Sequence, residues 1–330
     1  MSSIALVESP AQLLNTIEWA TADASRMADL AIVVLAPRES TARFQLHRLT
    51  EMAAASGLVV HWQEARRGRT ARLQIMVQVA PAVRRARQIV VGDPFSRMIQ
   101  TLLLGANASE VVLVDDGSST LHFVECWRAK KPIVRWHRSE VRPADRALGV
   151  RFARKLAATR LSLFTVMPVP DPVLTVERNA YVWTRAQHLP PQIEAGSDLV
   201  GTSLVETGVV ELEHYVQAVQ RLVERYEVVR YYAHRRESSQ KLRRLAAIGL
   251  HVITPDLPME LMARVGPIGS RIITFPSTLV HTLPRVLDGT GVEIVVIDVE
   301  PAWLSAATSS DSAAFLRSIT SSARTVATPE

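Results

Sequence analysis

Read for the spacing of its apolar positions, the chain opens on a short β-branched run, IALVE, followed by LLNTIEWA, whose apolar residues fall at helical intervals. The alternation continues through AIVVLA, a helix near Glu39 to Ala55, and the runs LVVHW, QIVVGD and EVVLVDD. Short strands that alternate with helices predict parallel sheets with helices on both faces. Between about Arg185 and Gly196 the pattern lapses into RAQHLPPQIEAG, whose paired prolines predict a linker. It restarts with LVGT, a helix, VVRYYA, another helix, LHVITP, RIITFP and VEIVVIDV. In the first of these helices Val210, Leu212, Tyr215, Val216, Val219, Leu222, Val223 and Tyr226 share one face. Glu211 and Glu213 stand at its start and Arg221 and Arg225 near its end, as the helix dipole favours. The Ser/Ala-rich segment after Pro301 predicts a helical tail with a frayed end. The expectation is an α/β fold of two Rossmann-like domains, residues 1–190 and 191–330, with parallel sheets facing an interdomain cleft.

Composition narrows this picture without assigning it. At 330 residues the chain can bury two ordinary cores, and 48% hydrophobic with 21% charged residues is a globular balance. No apolar run is long enough to span a bilayer. The start, MSSIALVESP, lacks the basic opening and long apolar stretch of a secretory signal, and Cys126 is the single cysteine, which together point to the cytoplasm. A net charge of +6 is carried by clusters at Arg66, Arg67, Arg69 and Arg72, at Arg84, Arg85 and Arg87, and from Arg128 through Lys130, Lys131, Arg135 and Arg138 to Arg154 and Lys155. Such patches attract polyanions, anionic membrane included, or simply solvate the surface. An aromatic content of 5% and the absence of a reading helix, finger or RNP-like motif argue against nucleic acid.

No Walker loop, GxGxxG after the first strand, HExxH, CxxC or GxSxG is present. Three clusters remain, each just after a predicted strand. In Asp115-Asp116-Gly117-Ser118-Ser119, alternation along a strand sends one aspartate toward the open edge of the sheet, where ligands of α/β sheets bind. A plain turn with a serine cap is the competing reading, and a carboxylate pair holding Mg²⁺ a further one. In YYAHRRESSQKL, His234, Arg235, Arg236 and Glu237 close a strand before a helix that begins near Ser238, a setting suited to a phosphate or to solvating a helix start. In ITFPSTLVHTLP, Ser277 and Thr278 open a helix, as a second phosphate cradle or as ordinary caps. Asp93 to Arg97 can line an acceptor side or make a turn and helix start, and Ser9, Pro10 and Gln12 follow the first strand. His122, His137, Trp62 and Trp136 read as helix, surface and packing residues.

Two Rossmann-like domains are the GT-B architecture of nucleotide-sugar glycosyltransferases, which sugar epimerases and periplasmic binding proteins also share. The three clusters in this order resemble the bacterial sialyltransferases, most closely the polysialyltransferase and lipooligosaccharide sialyltransferase group. In that family a (Asp/Glu)-(Asp/Glu)-Gly motif supplies the base, a His-Pro motif meets the donor phosphate, and a Ser-Ser or Ser-Thr pair completes that site. Asp115-Asp116-Gly117, His234 and Ser277-Thr278 match these in turn, VESPAQLLNTIEWA looks like the family's first strand and helix, and Glu260 matches a glutamate that holds the donor ribose. Arg235 stands where the family has proline.

The resemblance implies a direct inverting displacement. Asp116, ahead of Asp115, takes the proton of an acceptor hydroxyl as it attacks a CMP-activated sugar. His234, with Ser277, Thr278 and Arg235, offsets the charge on the departing CMP. No metal and no cofactor beyond the CMP-sugar co-substrate is implied, with Ser9, Gln12 and Asp93 on the acceptor side. The product is a cell-surface glycan or glycolipid made in the cytoplasm, with peripheral contact at an anionic inner membrane and no nucleic-acid partner. The rival is a non-catalytic nucleotide- or polyanion-binding protein of polysaccharide assembly.

Overall fold

A computed structural model of the chain describes residues 3–66, 68–135, 141–169, 174–305, 308, 316–317, 319–321 and 326–327. The expectations for Arg67, Trp136, His137 and Arg138, and for most of the tail after Ser305, lie outside these residues. The chain forms two compact units, Met1–Trp183 and Thr184–Glu330.

The first unit runs β1 (Ser3–Val7), α1 (Pro10–Thr21), α2 (Ala24–Asp29), β2 (Leu30–Leu35), α3 (Ser40–Ala55), β3 (Val59–Gln63), α4 (Arg69–Arg85), β4 (Gln88–Val91), α5 (Arg97–Leu104), β5 (Glu110–Val114), α6 (Ser118–Arg128), α7 (Pro143–Ala157), β6 (Arg160–Thr165) and β7 (Thr175–Arg178). Its seven strands lie in the order β3-β2-β1-β4-β5-β6-β7, all parallel. Parallel strands are covered on both faces, which is why β1, β2 and β5 are nearly solid apolar runs. Ile4, Leu6, Val33, Ile89, Val91 and Leu113 pack with Phe123 and Phe152 in one continuous core.

Helix α8 (Val182–Gln187) precedes the sheet of the second unit. The unit continues through β8 (Ile193–Val200), α9 (Leu212–Tyr226), β9 (Val228–Tyr232), α10 (Ser239–Ala247), β10 (His251–Ile253), α11 (Met259–Val265), β11 (Ile268–Thr274), α12 (Leu279–Val286), β12 (Glu293–Ile297) and the two-residue β13 (Val326–Ala327). The strand order is β10-β9-β8-β11-β12-β13, again parallel throughout.

Much of the stretch expected as a linker is therefore built into elements, with only 188–192 between α8 and β8. Its first strand residues, Ile193 to Ala195, are exposed, so no apolar run announces them. Each sheet shows the doubly wound order, in which the chain's direction of winding reverses beside the first strand. In the first unit that switch lies between β1 and β4, in the second between β8 and β11. Both units are thus Rossmann-like.

Candidate active site

The carboxyl ends of β1, β4 and β5 carry the candidate residues of the first unit. Gly117, at φ 64° in the left-handed region that favours glycine, turns the chain from β5 into α6. The two aspartates before it part company there. Asp115 is buried: its Oδ1 accepts the Thr120 hydroxyl at 2.6 Å, and its Oδ2 accepts the Thr165 hydroxyl at 2.6 Å and the Val166 N–H at 3.0 Å. Burial pushes this carboxyl up, and the hydroxyl and N–H donors oppose the rise. Asp115 ties β5 to α6 and β6 and has little freedom to meet a ligand. Its own carbonyl accepts Asn15 Nδ2 at 3.1 Å, and Asn15 is held in turn by Asn179 and Tyr181.

Asp116 is half-buried on the opposite side of the strand end. Its backbone N–H donates to Thr120 Oγ1 at 3.1 Å, and its Oδ1 accepts the Ser9 hydroxyl at 3.3 Å. Since β4 lies between β1 and β5, the Ser9 to Asp116 bond spans the end of β4. Ser9 also caps α1, accepting the Gln12 N–H at 3.3 Å ahead of Pro10.

Two residues expected on the acceptor side are turned into the fold. Gln12 is buried, and its Oε1 accepts the Glu8 N–H at 2.7 Å. It packs so closely on Gly92 that a Cβ there would lie 2.4 Å from Gln12 Oε1. Asp93 is buried as well; it accepts the Phe95 N–H at 2.8 Å and pairs with Arg135, the arrangement of a turn leading into α5. Glu8, which belongs to none of the three clusters, pairs with Arg66 at 3.1 Å. Burial pushes both carboxyls up; the Asp93 charge adds to this at Glu8, and Arg135 opposes it at Asp93.

In the second unit Thr202 follows β8, His234 follows β9 and Ser277 follows β11, at one end of three neighbouring strands in the order β9-β8-β11. Adjacent strands are about 4.8 Å apart, so roughly 10 Å separates the outer two. His234 Nδ1 accepts the Arg236 N–H at 3.2 Å, which leaves Nε2 as the protonated nitrogen of the neutral ring. Burial, with Arg235, Arg236 and Lys241 adding repulsion, lowers the imidazole to about 4. Neutral His234 offers a hydrogen-bond donor at Nε2 where the positive N-terminus of α10 begins.

Ser277 Oγ accepts the Leu279 N–H at 3.3 Å and lies 3.3 Å from Thr274 Oγ1. Thr278 is the cap residue of α12, makes no capping bond through its side chain, and is half-buried. Glu260, in the first turn of α11, accepts the Thr282 hydroxyl at 2.9 Å, which ties it to the helix that Ser277 and Thr278 open. Glu237, already part of the second cluster, is supported by buried Lys241, which the sequence does not reveal because in SQKL the lysine reads as an ordinary solvent-facing side chain.

Away from these strand ends, a groove of about 850 Å³ runs between α4 and α5, lined by Met76, Val77, Ala80, Pro81 and Leu102 with Arg84 and Arg85. Among the described residues no helix is long and apolar enough to cross a membrane, and no three His, Cys, Asp or Glu side chains gather as a cation site.

No family model matches the sequence, and no curated protein matches it by sequence. Solved structures match by fold. The chain is similar to an α/β-galactoside α-2,3-sialyltransferase of the luminous marine bacterium Photobacterium phosphoreum at TM-score 0.55 and 8% identity, over 99% of this chain and 98% of that one. It is similar to a 2,6-sialyltransferase of Photobacterium sp. JT-ISH-224, solved with the donor product CMP and the acceptor lactose, at TM-score 0.55 and 9% identity over 99% and 78% of the two chains. A Listeria monocytogenes protein assigned as a UDP-N-acetylglucosamine 2-epimerase is similar at TM-score 0.54 and 12% identity over 90% and 79%. At these identities the likeness is one of fold: two Rossmann-like units of the GT-B type, which sialyltransferases and sugar epimerases share.

Proposed function

We propose that the protein is an inverting glycosyltransferase that moves sialic acid or a related sugar from a CMP-sugar to a hydroxyl of a cell-surface glycan or glycolipid. One observation carries the reading: the carboxyl ends of the two sheets bear complementary chemistry. In the first unit Asp116 is a carboxylate held by Ser9 with its neighbour Asp115 committed to the fold. In the second, His234 offers an N–H donor, with Ser277 and Thr278 at the start of α12. The fold likeness to a sialyltransferase solved with CMP and lactose supports a CMP-linked donor and a sugar acceptor.

Asp116 accepts the proton of the acceptor hydroxyl as that oxygen bonds to the anomeric carbon. The bond from the anomeric carbon to the phosphate oxygen breaks, and the electron pair leaves with CMP. His234 Nε2–H, Ser277, Thr278 and Arg235 stabilise that negative charge, and Glu260 holds the donor ribose. In this reading those donors carry the charge that a divalent ion takes elsewhere, so transfer is independent of metal and of any cofactor beyond the CMP-sugar. Exposed Arg84, Arg85 and Arg87, beside the exposed Leu73 and Val77, give the first unit a face suited to peripheral contact with an anionic membrane.

Titration of CMP into the wild type and His234→Ala tests the donor side. The wild type binds and the variant binds at least about tenfold more weakly, the loss of a hydrogen bond to a charged group; a wild type that binds no cytidine nucleotide removes the reading. Donor hydrolysis measured across a panel of nucleotide sugars then identifies the sugar.

A further inference from the structure

Behind His234 the second unit buries ionisable side chains that the transfer step does not use. Lys241, in the first turn of α10, is fully buried, with Nζ 2.7 Å from Glu237 Oε1, 2.7 Å from the Thr202 carbonyl and 3.7 Å from the centroid of the Tyr215 ring. The Glu237 side chain is equally inaccessible. Its Oε1 accepts the Tyr231 hydroxyl at 2.5 Å and the Thr202 N–H at 3.1 Å, and its Oε2 accepts the His234 N–H at 3.0 Å. Tyr231 and Tyr215 share a further bond at 2.7 Å between their hydroxyls. Gly201 completes the packing, since a Cβ there would lie 2.5 Å from the Tyr231 hydroxyl and 2.7 Å from Glu237 Oε1.

A buried ion pair is weak evidence for stability, because apolar side chains of the same volume serve the core as well or better. What distinguishes this pair is what it grips. Glu237 takes the N–H of Thr202 and Lys241 takes its carbonyl, so both backbone polar groups of that residue are fixed. Glu237 also takes the N–H of His234. Thr202 and His234 follow the ends of the adjacent strands β8 and β9, and β8 borders the switch point of the sheet.

We propose that Glu237 and Lys241 are positioning residues, which clamp the Thr202 loop against the backbone of His234 so that both address one phosphate of the donor. The proposal rests on the donor-side reading of His234. It gives the pair no proton to move: Lys241 holds Glu237, and Glu237 holds the loop.

The test uses the full-length protein with Glu237→Gln together with Lys241→Met, a double substitution that removes both charges of the pair and leaves Glu206, 3.8 Å from Lys241 Nζ, with the Ser238 N–H as its donor. The imidazole resonances of His234 without ligand, the thermal midpoint, CMP affinity, and kcat and KM for donor turnover are compared with the wild type. The expected result is an unchanged or raised midpoint, displaced His234 resonances, and a kcat lowered about 10- to 100-fold with donor KM changed less than about threefold, the scale of a misplaced group. Lys241→Arg should restore part of the lost kcat to a chain that keeps Glu237. Tyr231→Phe, which removes a single bond to Glu237, provides a milder perturbation should the double variant fold poorly; it should displace the same resonances and lower kcat about threefold. A folded variant with wild-type His234 resonances and wild-type kcat overturns the proposal. The resonances are read without nucleotide, so they judge the clamp even if the wild type binds no CMP and the transferase reading itself fails.

Discussion

Lowering the pH from 7 to 5 should cost the wild-type protein about 2 kcal/mol more stability than it costs His234→Gln. The magnitude comes from the environment of the ring. Burial, with Arg235, Arg236 and Lys241 adding repulsion, holds the folded imidazole at about 4 against an ordinary 6.5. Between those values the unfolded chain binds the proton and the folded chain does not, so stability falls as pH falls through this window. At pH 7 the folded ring is neutral and only about a quarter of the unfolded chains are protonated, so the group contributes about 0.2 kcal/mol. At pH 5 the unfolded ring is almost wholly charged and the folded one almost wholly neutral, an imbalance of about 2 kcal/mol at 1.36 kcal/mol per pKa unit. By pH 4 and below the loss levels off at about 3 kcal/mol. Buried carboxyls elsewhere titrate in both proteins and cancel in the comparison. Urea unfolding of both proteins at pH 7, 6 and 5 measures the difference, and a histidine resonance titration locates the folded value directly. Equal losses in the two proteins would show that the ring is not held neutral by its surroundings, and the description of His234 as a neutral donor would fall with it.

The two aspartates should separate cleanly. Asp115→Asn sets an amide against donors that need acceptors and should cost about 1–3 kcal/mol in urea unfolding. Asp116→Asn should keep stability within about 1 kcal/mol yet lower transfer to an acceptor about 10²- to 10⁴-fold, whereas unchanged transfer would favour a protein that only binds nucleotide. Gly92→Ala drives a Cβ into the Gln12 side chain and should lose about 1–3 kcal/mol, which the same unfolding assay reads. Sedimentation with vesicles containing anionic lipid should carry the protein down at low salt, and Arg84→Glu with Arg85→Glu should release it; equal sedimentation with neutral vesicles would refute the electrostatic contact.

Much of the fold was legible because parallel strands buried on both faces write themselves as apolar runs: β1, β2 and β5 could hardly read otherwise. The parts that were not legible lack that signal. Strand β7, TVER, is a half-exposed edge strand, and the first half of β8 is exposed within a stretch that reads as linker. The placement of Asp116, His234 and Ser277 at strand ends was visible from their position after apolar runs. What those residues lean on was not. Tyr215 was placed on the buried face of α9 by its spacing, but spacing says nothing of a hydroxyl bonded to Tyr231. Lys241 and Glu237, four residues apart, look like a surface pair on a helix start, and only the fold over them makes the pair internal. Asp115 and Asp116 are chemically identical, so a string of letters cannot say which is wanted by Thr120 and Thr165.

The interior position of β1 also sets when its two edges can be paired as the chain is made. Ser3 to Val7 leave the ribosome before either of their partners, β2, which begins at Leu30, and β4, which begins at Gln88. Until Val91 has emerged, one edge of an apolar strand has no partner, and an unpaired edge is a template for another chain. The second unit repeats the wait, since β8 meets β9 early and β11 only at Ile268. A polypeptide stalled within either interval carries an open strand edge, so the same topology that sets two strand ends side by side at each switch point leaves the nascent chain most prone to aggregation twice during its synthesis.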